Sequence, residues 1–133
     1  MDITGPHPIS QKGNQYIMTV MDLFTKYAEA FPIRKHTASI VAEKLGEVFA
    51  RHGTPLQLLS DQGPEFESSL IAELCKAYDV QKLRTSPYHP QTNGAIESFH
   101  RTLNQMLGKV VGDSQRDWDV RLKDVMAAYR ATK

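Results

Sequence analysis

Gln15-Tyr16-Ile17-Met18-Thr19-Val20-Met21-Asp22-Leu23-Phe24, then Thr25-Lys26, then Tyr27-Ala28-Glu29-Ala30-Phe31-Pro32-Ile33, is the stretch that decides the fold. Its first run is β-rich and nearly continuously apolar, the mark of a strand buried on both faces. Its last run alternates, with Ala28, Ala30 and Pro32 on one side and Glu29, Phe31 and Ile33 on the other. A short polar turn between them predicts an antiparallel pair. Pro32 cannot donate to a ladder, so it suits an edge strand or a strand end.

Working outward, Met1–Pro6 reads as the end of a first strand running into a Gly-Pro turn, and His7–Asn14 as loop. On the other side Thr37 caps a helix whose apolar face is Ile40, Val41, Leu45, Val48 and Phe49, and Gly53 with Pro55 ends it. Gln57–Ser60 predicts a short strand that stops at the turn Asp61-Gln62-Gly63-Pro64. A helix is expected over Glu65–Tyr78, with Phe66, Leu70, Leu74 and Ala77 as its stripe. A strand is expected over Val80–Ser86 and a loop over Pro87–Gly94. Helices are expected over Ala95–Val111 and Trp118–Thr132, the last with Trp118, Leu122, Val125, Met126 and Tyr129 inward. A three-strand meander followed by helix–strand units predicts an α/β domain with a mixed sheet and helices on both faces.

The 133 residues suit one domain, spanning 1–133. With 41% hydrophobic and 23% charged residues and a single cysteine, the composition excludes collagen-like, disulfide-stapled and disordered classes. No apolar run approaches the ~20 residues of a membrane span, so no membrane partner is expected. The net charge of +1 hides an asymmetry. Residues 1–75 carry six Lys/Arg against nine Asp/Glu, whereas residues 76–133 carry ten against six. A basic half is a hint of a surface facing a polyanion.

Three acidic residues stand out by position. Asp2 lies on the first strand, Asp61 just past the end of the fourth, and Glu97 in the first turns of the long helix. Ligands of open α/β sheets bind beyond the carboxyl ends of strands. If strands one and four are neighbours, Asp2 and Asp61 converge, and the helix can bring Glu97 to them. Converging carboxylates call for a hard divalent cation, Mg²⁺ or Mn²⁺. The alternative is that Asp61 starts a turn and Glu97 is a carboxylate favoured by the helix dipole. Asp22, at the far end of the second strand, is expected to cap the turn rather than join the trio. The five histidines show no zinc-ligand spacing, and Cys75 reads as a core residue.

Leu59-Ser60-Asp61-Gln62-Gly63-Pro64-Glu65-Phe66 and Tyr88-His89-Pro90-Gln91-Thr92-Asn93-Gly94-Ala95-Ile96-Glu97-Ser98-Phe99-His100-Arg101, with Met1–Pro6 and Met21–Tyr27 before them, resemble the catalytic core of retroelement integrases, and most nearly those of Ty3/gypsy-type LTR retrotransposons. The last two acidic residues of that family's trio are separated by 35 residues, and here residues 62 to 96 lie between Asp61 and Glu97.

The resemblance implies an RNase H-like fold, a five-stranded mixed sheet with the first three strands antiparallel, flanked by helices. It implies two Mg²⁺ or Mn²⁺ ions held by Asp2, Asp61 and Glu97. The chemistry implied is trimming of the 3′ ends of element DNA and their joining to target DNA by transesterification. The partners implied are double-stranded DNA, as element ends and target, and further copies of the chain in a homodimer or higher oligomer. Nuclear or particle-bound location, not secretion, follows from the same likeness. So does an expectation that the chain is a core cut at both ends, without the family's N-terminal zinc domain and C-terminal DNA-binding domain.

The loop before the long helix offers Tyr88, Gln91 and Asn93 to DNA, or merely an N-cap at Thr92 or Asn93. Arg101, one turn beyond Glu97, reaches phosphate or pairs with Glu97, and Lys109 and Arg116 extend a basic surface. Asn104 stands where retroviral relatives carry a second lysine. A non-catalytic DNA-binding or dimerisation module, and a nuclease that hydrolyses without joining, are the competing readings.

Overall fold

Ile17 and Met18 are both fully buried, and neighbouring residues on a strand point to opposite faces. The strand that carries them therefore has a packed layer on each side. The computed structural model describes residues 1–84, 90–112 and 115–131. In chain order the elements are β1 (Asp2–Thr4), β2 (Tyr16–Met21), β3 (Ala28–Ile33), α1 (Ala38–His52), β4 (Gln57–Ser60), α2 (Ser69–Ala77), β5 (Gln81–Arg84), α3 (Pro90–Val110) and α4 (Trp118–Ala131).

β2 is flanked antiparallel by β1 and β3, with Asp2 opposite Thr19 and Thr19 opposite Ala30. β4 and β5 form a separate parallel pair. The two sets meet at one seam, where the Met1 amine donates to the Leu59 carbonyl at 2.8 Å and lays the start of β1 beside β4. β3 is the outer strand of its set, which accommodates Pro32. The expected α/β architecture holds, with the five strands paired three and two.

Two apolar clusters lie on opposite sides. Met18 and Ile33 pack with Val41, Leu45 and Phe49 of α1, Leu58 of β4, and Ile71 and Cys75 of α2. Ile17 and Ala28 pack with Phe99, Leu103 and Leu107 of α3 and Trp118, Leu122 and Met126 of α4. The β2–β3 connection is closed by Asp22. Its Oδ1 accepts from the amides of Phe24 (2.9 Å) and Thr25 (3.4 Å), and its own amide donates to the Tyr27 carbonyl. Gly5 holds φ +132, and a Cβ there would come within 2.8 Å of the Gln15 carbonyl oxygen, so the β1–β2 connection needs glycine.

Two helix starts differ from expectation. α2 begins at Ser69, not Glu65, because Ser68 caps it by accepting from the Ile71 amide at 3.3 Å. Phe66 is buried from the turn ahead of the helix, and the inward face is Ile71 and Cys75, while Leu70 is exposed. α3 begins at Pro90, five residues before Ala95. Proline is at home in a helix's first turn, where no amide is needed. Most of the expected loop is thus helix, and the reading of Thr92 or Asn93 as an N-cap does not hold. Thr37 caps α1 as expected, accepting from Ile40, and Gly53 follows its end at φ 82.

Candidate functional site

Met1 and Ile3 pack against the α1–α2 cluster, so Asp2 between them faces the α3 side of the sheet. Its Oδ1 accepts from the Ile3 amide at 2.8 Å. Its Oδ2 lies 3.7 Å from Nδ1 of His100 on α3. Burial pushes the Asp2 carboxyl above its ordinary value. The Ile3 amide and His100 oppose that rise, and the Asp61 charge adds to it.

Asp61 follows β4 directly and is exposed. Its Oδ1 accepts from the Gly63 amide at 2.9 Å, an Asx turn that ends the strand. Gly63 is tight: a Cβ there would lie 3.1 Å from Asp61 Oδ1 and 3.0 Å from Glu65 Oε1. The seam hydrogen bond from Met1 to Leu59 makes β1 and β4 neighbours, and Asp2 and Asp61 are near enough for Asp61 to shift Asp2's protonation. Lys82 on β5 completes this neighbourhood. Burial lowers its pKa, while Glu67 and Asp61 among its neighbours raise it.

Glu97 stands exposed on α3, one helical turn before His100. Residues three apart share a helix face, so Glu97 lies on the side of α3 that meets β1. It is not drawn into the same cluster: among the described residues no group of three or more His, Cys, Asp or Glu is close enough to hold a metal. The donor set of Asp2 and Asp61 nonetheless suits a hard cation. Both are carboxylates, they repel one another, and Asp61 Oδ2 has no hydrogen bond among the described residues.

Arg101 is exposed on α3, and no ion pair joins it to Glu97 among the described residues. Lys109 is exposed in the last turn of α3, where a cation also complements the helix dipole. Tyr88 lies outside the described residues, as do the side chains of Gln91 and Asn93. Asp22 is occupied by the β2–β3 turn. Trp118 is buried, its Nε1 donating to the Pro8 carbonyl at 2.6 Å. A cavity of about 350 Å³ lies elsewhere, lined by Glu29, Phe31, Arg51, Leu122 and Arg130 among others, and none of Asp2, Asp61 and Glu97 borders it.

Two neighbours of the aspartates escaped the sequence reading, His100 and Lys82. The sequence offers His100 only as one of five histidines without zinc-ligand spacing. The signal that would have found it is its spacing, one turn after Glu97. Nothing local marks Lys82, which acquires its surroundings through the parallel pairing of β5 with β4.

Residues 1–90 match the family model described as Integrase core domain. The retrovirus-related Pol polyprotein from transposon 412 of Drosophila melanogaster is 34% identical over 134 residues, covering 100% of this chain and 11% of that protein. The Pol polyprotein of radiation murine leukemia virus (strain Kaplan) is 36% identical over 121 residues, covering 90% of this chain and 20% of that protein. The chain thus spans a small part of the curated relatives it matches. Among solved structures, the catalytic core domain of BIV integrase superposes with a TM-score of 0.80 at 27% identity, covering 99% of this chain and 83% of that one.

Proposed function

This chain belongs to the integrase core domain family, and we propose that it is the catalytic part of a metal-dependent polynucleotidyl transferase. Its reaction would trim the 3′ ends of retroelement DNA and join them to target DNA, as in Ty3/gypsy-type elements, within a nuclear integration complex or a cytoplasmic particle. The observation that carries the reading is the seam between β1 and β4, which lays the strand of Asp2 beside the strand that ends at Asp61, 59 positions on. Two carboxylates set against each other, one of them partly buried, are costly unless a cation is shared between them.

Asp2, Asp61 and Glu97 would hold Mg²⁺ or Mn²⁺, as two ions. Metal held by them would supply Lewis-acid activation and charge stabilisation for phosphoryl transfer. The rest falls to this chain's own groups. Asp2 is held by the Ile3 amide and faces α3, and Asp61 is held by the Gly63 amide, so both carboxylates are oriented before any substrate arrives. Arg101 and Lys109 lie exposed on the helix that carries Glu97 and supply positive charge for phosphates. Tyr88, Gln91 and Asn93 are proposed to contact the element's DNA end. A second copy of the chain, in a dimer or larger assembly, is proposed to divide the two DNA ends between protomers.

The test is strand rejoining on a branched DNA with Mg²⁺ or Mn²⁺, comparing the parent with Glu97→Gln, Asp2→Asn and Asp22→Asn. Rejoining by the parent, its loss in the first two variants and its retention in Asp22→Asn are expected. A well-folded parent that rejoins nothing would sink the reading. Loss with Asp22→Asn but not with Asp2→Asn would move the first carboxylate.

A further inference from the structure

We propose that His100 is a positioning residue for Asp2: the Thr19 hydroxyl fixes its ring so that the opposite nitrogen holds the Asp2 carboxylate in one orientation. The inference rests on the reading of Asp2 as a metal ligand.

Thr19 lies opposite Asp2 in the β1–β2 ladder and is buried on the face covered by α3. Its Oγ1 is 2.9 Å from His100 Nε2 and 3.4 Å from the Asp2 carbonyl oxygen. The hydroxyl can accept from Nε2–H while it donates to the Asp2 carbonyl, or donate to Nε2 itself, and either way it fixes the ring with Nδ1 3.7 Å from Asp2 Oδ2. A proton on Nδ1 makes that contact an attraction.

Asp2 Oδ1 is already taken by the Ile3 amide. With His100 against Oδ2, each oxygen has a fixed neighbour, and the carboxylate does not rotate freely. The ring is itself anchored, since Phe99 and Leu103 beside it on α3 are buried in the α3–α4 cluster. His100 thereby ties α3 to β1 one turn from Glu97, and the same contact that orients Asp2 sets how near Glu97's helix stands. Outer partners of this kind, when removed from metal sites, cost roughly 10–100-fold in affinity or activity.

Mn²⁺ binding to the DNA-free chain, followed by the electron paramagnetic resonance signal of the free ion, tests this beside rejoining titrated in Mn²⁺. His100→Ala is expected to weaken Mn²⁺ binding roughly 10-fold or more. It should raise half-saturating Mn²⁺ in step with the loss of binding. His100→Asn is the conservative variant, because its amide N–H falls where Nδ1–H stands, and it should recover most of the lost affinity. Thr19→Val should move binding in the same direction as His100→Ala by a smaller factor, and it serves alone if His100→Ala fails to fold. Parent-like Mn²⁺ binding in the folded His100 and Thr19 variants, with binding lost in Asp61→Asn, overturns the positioning role and leaves the metal reading standing. Mn²⁺ binding indifferent to Asp61→Asn overturns both.

Discussion

Asp119 shows opposing forces acting on one side chain. Burial alone would raise its pKa, but Ser10 Oγ (2.6 Å), Asn14 Nδ2 (2.8 Å) and the Val120 amide (2.8 Å) all donate to it and hold it below the ordinary 3.8. A depressed carboxyl contributes stability that is present above its unfolded value and lost as pH falls through its folded one. Asp119→Ala should therefore cost about 1–3 kcal/mol near neutral pH. The gap between variant and parent should narrow below about pH 4. Urea denaturation at pH 7 and at pH 3 measures both. No reading of the sequence marks Asp119, because Ser10 and Asn14 are more than a hundred residues away and meet it only when α4 docks on the β1–β2 connection. Asp22 was legible for the converse reason: an aspartate reaching amides two and three residues on is local chemistry, and the turn is as expected. The roles of Asp61 and His100 fall on either side of that line. A strand followed by Asp-x-Gly announces a turn, whereas nothing in the chain announces that α3 will meet Thr19.

At the scale of elements, α1 was legible from its cap to its terminal glycine because both signals are intrinsic to a few residues. α2 was not, since the apolar Phe66 fits a helical spacing yet is used by the turn that precedes it. Ser68 decides the matter by taking an amide that would otherwise lack a partner. Ser68→Ala should destabilise the protein by about 1 kcal/mol, read as a shift of the thermal midpoint, with Ser68→Asp close to the parent. A parent-like Ser68→Ala would mean that packing of Ile71 and Cys75, not the cap, sets where α2 begins. For α3 two start signals compete in Pro90 and Thr92-Asn93, and proline prevails because it fits the first turn and loses no hydrogen bond there.

Over the whole molecule, length indicated one domain, and a strand meander followed by helix–strand units indicated helices on both faces. The pairing of five strands as three and two was not legible, since a seam depends on contacts between residues 1 and 59. The charge asymmetry likewise acquires a location: Arg101 and Lys109 are exposed along α3, the helix that carries Glu97. DNA affinity should fall steeply with salt, and Arg101→Ala with Lys109→Ala should flatten the log–log slope by roughly 1–2. Fluorescence anisotropy on a duplex from low to moderate salt measures it, and an unchanged slope would place the phosphates on another surface. The two-sided burial of β2 has one more consequence. Sliding the strand by one position would trade Ile17 for Met18 and cost little in oil-like contacts, so hydrophobicity does not protect its alignment. The guards are the ends: the glycine pinched against Gln15 at one, and the aspartate that knots residues 22 to 27 at the other. A slip would carry Thr19 off the α3 side and away from both Asp2 and His100. The turn closed by Asp22 thus helps keep Thr19 opposite Asp2, a role that Asp22→Asn preserves because its amide oxygen still accepts from the amides of Phe24 and Thr25.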